Sequence, residues 1–175
     1  SQLTSDVMRS FADGEQGRKT FIDWIQQHPS LISWLKLKAA LSVDVLNDWR
    51  SIIDELPGSQ NQLSAHAFMP PFSKLTGFAF TTAAEICDSI SPKFYTMHWC
   101  LMVNQWGRWL LQRNPGLDES VVVRALINLL QLSDEEIPDA TLDDFAYPAP
   151  DQPHPIGEQA QQIKIDEVCQ AVGAK

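Results

Sequence analysis

The stretch from Ser91 to Gly116, SPKFYTMHWCLMVNQWGRWLLQRNPG, decides how this chain reads. Ser91-Pro92 is a helix-start signal, because proline at the first helical position lacks only an N–H that would have no intrahelical acceptor. Asn114-Pro115-Gly116 is the matching stop. Between them Tyr95, Trp99, Met102, Trp106, Trp109 and Arg113 alternate steps of four and three and so share one stripe, while Phe94, Leu101 and Leu110 occupy other faces. A helix apolar on so many sides belongs at the centre of a helical assembly. The spacing therefore predicts one long central helix from Pro92 to about Arg113. Gly107 within it costs about 1 kcal/mol against alanine, which points to another helix or a ligand approaching closely there.

Helical periodicity continues outward on both sides. Toward the N-terminus, Leu3, Val7, Met8 and Phe11 mark a short helix stopped by Gly14, and Phe21, Ile22, Trp24 and Ile25 mark a second closed by His28-Pro29. Ser30 caps a third segment with Leu31, Ile32, Trp34, Leu35, Leu37 and Leu41. Ser42 caps a fourth in which Val45, Leu46, Trp49, Ile52, Ile53 and Leu56 follow the i, i+3, i+4, i+7 rule, ended by Pro57-Gly58. From Gly58 to Gly77 the pattern dissolves, apart from an apolar knot, Phe68 to Phe72, around Pro70-Pro71. Phe78 to Ile90 resumes it. Beyond Gly116, Val121 to Leu132 reads as a helix held by packing, since three consecutive valines lower its intrinsic propensity. Residues 138–157 hold five prolines and cannot be regular helix. A final amphipathic segment runs from about Glu158 to Val172. No strand alternation or repeat is evident.

The expectation is an all-α, irregular single-domain bundle of about seven or eight helices around the Trp-rich helix. Its core is 1–133, followed by an acidic, Pro-rich loop 134–157 and a C-terminal helix 158–175. With 175 residues, 44% hydrophobic, a bundle of this size has ample core. The net charge of −9 is local: residues 125–163 carry eight carboxylates and no Lys or Arg. No basic stripe is present to displace counterions from phosphate, so direct nucleic-acid binding is excluded. The apolar run 94–109 is interrupted by His98, Asn104, Gln105 and Arg108 and is too short to span a membrane. Cys87, Cys100 and Cys169 are odd in number and match neither a disulfide framework nor a metal clamp, which suits a reducing, cytoplasmic setting.

The sequence carries no catalytic, cofactor or metal constellation. His28, His66, His98 and His154 lie far apart with no acidic partner at helical spacing, and His98 and Cys100 point about 200° apart on a helix. Glu85 and Asp88, at i, i+3, read as a solvated face. The glycines are helix stops rather than a phosphate cradle.

Two surfaces remain as partner sites. One is the knot, with Phe68, Met69 and Phe72. The other is the acidic segment, with Asp134, Glu135, Glu136, Asp143, Asp144, Phe145 and Tyr147, in which carboxylates interleave with aromatics as in a peptide that docks into a basic groove. The functional expectation is a non-catalytic interaction module, an adaptor, chaperone-like or assembly subunit. It would use an apolar groove and this acidic segment, bind one or more proteins, including one with a basic surface, and be open to self-association. The alternatives are an acidic decoy of a basic nucleic-acid-binding protein, and a small-ligand binder or enzyme built around Trp99, Trp106 and His98.

Overall fold

The computed structural model describes residues 2–58, 61–132 and 139–173. In chain order the elements are α1 (Gln2–Ala12), α2 (Glu15–Gln26), α3 (Pro29–Glu55), β1 (Ser64–Phe68), α4 (Phe72–Thr76), α5 (Phe80–Ile86) and β2 (Ser89–Lys93). Then come α6 (Thr96–Leu101), a π-helical turn (Met102–Trp106), α7 (Gly107–Arg113), α8 (Glu119–Leu130), a 3-10 turn (Asp143–Phe145) and α9 (Glu158–Val172). The protein is mostly helical, with one small sheet among the described residues. The chain divides into two compact units, 1–27 with 95–162, and 28–94 with 163–175. This division cuts across the ranges suggested by the sequence.

The first unit is built on α8, whose Val122, Val123, Ala125, Leu126, Ile127 and Leu130 are buried. Burial of β-branched side chains offsets their low helix propensity, as expected for this segment. Packed on α8, α1 contributes Met8 and Phe11. The Asn128 side-chain amide donates to the Phe11 carbonyl at 2.8 Å, and Arg9 donates to the Gly116 carbonyl at 3.1 Å. Both bonds join segments distant in sequence.

The Trp-rich helix differs from its expected form in start and in face. Pro92 does not open it. Ser91 and Pro92 lie in β2, paired with His66 and Ala67 of the parallel β1, and the helix begins at Thr96. Proline forces the preceding residue toward extended backbone, and in a two-stranded sheet every strand is an edge that tolerates a missing N–H. The buried positions are Trp99, Cys100, Val103, Gly107 and Leu110, whereas Tyr95, Trp106 and Trp109 are about half exposed. A π turn advances less around the axis per residue than an α turn, so the face drawn at strict α spacing is not kept beyond Met102. This helix presents a solvent face and is not buried all round.

Gly107 is where the acidic loop comes down. A Cβ at Gly107 would lie 2.2 Å from Leu142 Cδ2. Leu142 and Phe145 are buried, the Leu142 N–H donates to Glu119 Oε1 at 2.8 Å, and its carbonyl accepts from Asn104 Nδ2 at 2.7 Å. The close approach at Gly107 is thus made by a loop side chain, where another helix or a ligand was expected.

In the second unit α3 runs unbroken through Ser42, where the sequence suggested two helices. Pro29 stands at its first turn, as the His28-Pro29 corner implied, and no Gly or Pro interrupts it before Pro57. An interior serine costs too little to stop a helix that packing supports. The span from Gly58 to Gly77 carries β1, where no strand was expected, and the short helix α4, which begins at the last residue of the knot. Leu63, Ala65 and Cys87 form one core cluster, against which Leu46, Ile53, Phe78, Ile86 and Ile90 pack. Ala67, Phe80 and Val168 form another, flanked by Phe78, Ile90, Phe94, Ala171 and Val172. Gly77, at φ +85°, sits where a Cβ would lie 2.7 Å from the Lys38 carbonyl, so the α3 backbone rests directly on it.

Candidate interaction surface

One face of α3 is held by the second unit and the opposite face is not. Leu46, Ile53 and Arg50 point inward. Arg50 donates to Asp88 Oδ2 at 2.8 Å and also pairs with Asp54, and Asp88 Oδ2 accepts the Leu63 N–H at 2.8 Å. That N–H, then the guanidinium, holds the Asp88 carboxyl below the usual carboxylate range. This network fastens the C-terminal half of α3 to the segments entering β1 and β2.

On the outer face Trp34, Leu37, Leu41, Val45, Trp49 and Ile52 recur at helical spacing, continued by Leu56 at the C-cap, and each is 50–57% exposed. From Trp34 to Ile52 this stripe runs about 27 Å. No residue of α3 is fully buried. Val45, Trp49, Ile52 and Leu56 follow helical periodicity in the sequence, which reports that a helix has an apolar face, but not whether anything covers it. Beside the stripe lies a groove of about 580 Å³, lined on one wall by Leu41, Val45 and Trp49 and on the other by Leu63, Ala65 and His66, with Phe78 also lining it.

The sites expected from sequence fare unevenly. In the knot only Phe68 is exposed, with the Lys93 ammonium 5.6 Å from its ring centre. Met69 and Phe72 are buried and serve the core, so the knot as a whole is not a presented surface. In the acidic segment Asp134, Glu135 and Glu136 lie outside the described residues. Asp143 pairs with Arg108. Asp144 accepts from the backbone N–H and the hydroxyl of Thr141 at 2.7 and 2.9 Å, and these bonds lower its pKa. Phe145 is buried and Tyr147 is exposed. Asp143 and Asp144 are therefore engaged within the loop and its neighbouring helix.

The structure also brings together a pair that the sequence hid. Cys100 Sγ and His154 Nε2 are 3.6 Å apart across 54 positions. His154 Nδ1 accepts the Ile156 N–H at 3.1 Å, which places the proton of a neutral ring on Nε2, facing the sulfur. A general base needs a free lone pair there, and burial moreover pushes the Cys100 thiol up. The contact suits a buried thiol accepting a hydrogen bond, not an activated nucleophile. Only their meeting in the fold identifies the two residues.

Near the Trp-rich helix, Trp99 is buried, while Trp106 and Trp109 line a shallow pocket of about 510 Å³ with Gln105 and Leu110. Arg113 stacks over Trp109 at 4.3 Å. Among the described residues no group of three or more His, Cys, Asp or Glu is placed to hold a metal ion, and no helix is long and apolar enough to cross a membrane. Compared with family models, curated proteins and solved structures, the chain matches none of them.

Proposed function

We propose that this chain is a non-catalytic protein–protein interaction module that docks through the outer face of α3 and the groove beside β1. The observation that carries this reading is the exposed stripe from Trp34 to Leu56. Half-exposed indole and aliphatic side chains in an unbroken row leave on the order of 800 Å² open, more than the ~300–600 Å² of the largest apolar patch on a typical monomer. Tryptophan and leucine so arranged form the centre of an interface, and the charges of α3 supply its rim. Less supports an acidic decoy, because Asp143 and Asp144 are already engaged.

The test is affinity capture from native extract by the intact chain, by a Leu41→Asn/Trp49→Asn variant and by a chain lacking 134–157, each at low and high salt. A partner lost with the α3 variant and retained at high salt supports the reading, since apolar contacts are not screened. Capture that ignores the α3 variant but disappears with salt or with the loop deletion would hand the role to the acidic segment.

A further inference from the structure

Resting on the proposed interaction role, we infer that the occupant of the α3 face is a second copy of this chain, packed antiparallel about a two-fold axis through Val45. Three observations converge on it. First, five of the seven stripe positions are symmetric about Val45: with α3 of a second copy reversed, Leu41 meets Trp49, Trp34 meets Leu56, and Val45 meets itself, while Leu37 and Ile52 fall one residue out of register with each other. An isologous contact requires such self-complementarity, because each residue must suit its symmetry mate. The steps of three and four match the ridges of two long helices crossing at a shallow angle.

Second, the charges of α3 are polarised. The N-terminal side of Val45 carries Lys36 and Lys38 against Asp44, and the C-terminal side carries Asp48, Asp54 and Glu55 against Arg50, which pairs with Asp54. The helix has no acidic residue in its first turn and no basic residue in its last, the reverse of what its own macrodipole favours. An antiparallel copy sets each lysine-bearing half beside the acidic half of its mate and opposes the two dipoles. A parallel copy would set like against like. Third, on the order of 800 Å² per copy is what one partner contributes to a standard stable interface of about 1,600 Å².

Sedimentation velocity of the full chain across micromolar concentrations tests this, with Val45→Glu and the control Asn47→Glu. Both positions are exposed, so neither change strains the fold, and circular dichroism confirms it. The expected result is a dimer that Val45→Glu reduces to monomer, because two carboxylates meet on the axis, and that Asn47→Glu leaves intact. Orientation is read in a Cys169→Ser background, which removes the exposed native thiol. Oxidised glutathione should join Leu41→Cys chains to Trp49→Cys chains in a mixture and neither kind to itself. A chain that stays monomeric, or a dimer indifferent to Val45→Glu, overturns the inference. In that event the wider reading survives only if another protein is still held through the stripe, and falls if the Leu41→Asn/Trp49→Asn variant loses no partner.

Discussion

Gly107 and Leu142 compete for the same few ångströms. Gly107→Ala would add about 1 kcal/mol of helix propensity but drive a methyl into a buried leucine, and overpacking of that kind costs about 1–3 kcal/mol. The net expectation is a loss of about 1 kcal/mol in urea denaturation, with Leu142→Ala alone costing about 2–4 kcal/mol. Together the two changes should cost clearly less than their sum, since alanine at 142 vacates the space the new methyl needs. Strict additivity would show that the contact is not shared. Cys100 and Cys169 differ in the same local way. With Cys100 buried and its thiol pKa raised, iodoacetamide should modify Cys169 rapidly and Cys100 only on unfolding, as followed by mass spectrometry. Comparable rates at both would contradict the burial of Cys100.

Lys164 carries a pH signature. Fully buried, it has its pKa lowered from 10.5 to about 8, chiefly by burial and against the opposing pull of Glu167. Below pH 8 both native and unfolded chains hold the proton, and the native state bears the net cost of keeping a charge in a buried site. Between about 8 and 10.5 only the unfolded chain holds it, so this residue's contribution to stability rises with pH and then levels off. Lys164→Met should therefore be the more stable protein at pH 7, by about 1–3 kcal/mol, with the advantage shrinking toward pH 10. Comparing the two proteins at each pH cancels the opposite trend from the buried thiols. An advantage constant with pH would mean that Lys164 does not titrate differently on folding.

At the scale of elements, α3 divides into a face that folds and a face that does not. Ile52 and Ile53 are neighbours in sequence, yet Ile53 packs against Leu63, Ala65 and Cys87 while Ile52 is half exposed. Ile53→Ala should cost about 2 kcal/mol or more in chemical denaturation at low protein concentration, and Ile52→Ala less than about 0.5. Equal losses would place the stripe inside the fold and remove the surface on which the functional reading rests. The same pair shows what was legible in the sequence. Periodicity located α1, α2, α8 and α9 and the existence of an apolar face on α3, because a 3.6-residue repeat is written locally. It missed the join across Ser42, and it could not tell a covered face from a bare one. It missed β1 and β2 because Ser64–Phe68 and Ser89–Lys93 are short, and Pro92 resembles a helix start until its strand partner is known. The candidate site was the least legible of all. Phe68, Met69 and Phe72 look alike as a string, and only packing separates the exposed ring from the two buried side chains.

At the scale of the molecule, the chain leaves the first unit at residue 27, builds most of the second through Phe94, returns, and re-enters the second at Ile163. Neither unit is a continuous piece of sequence. The second unit is closed by α9, whose Val168 completes the cluster with Ala67 and Phe80 and whose Ala171 and Val172 flank it. The Lys74 and Glu167 ion pair at 3.1 Å adds little, since both side chains are more than a third exposed. Apolar closure is thus the contribution that a fragment ending at Phe94 would lack. Expressed alone, 28–94 should be collapsed but loosely packed, binding hydrophobic dye and unfolding without a sharp transition. A peptide of residues 163–173 added in trans should restore cooperative unfolding, and the same peptide with Val168→Asp should fail, because a carboxylate cannot enter that cluster uncompensated. A fragment 28–94 that unfolds cooperatively without the peptide would show that the return of the chain at Ile163 is an accessory contact and not the closure of the unit.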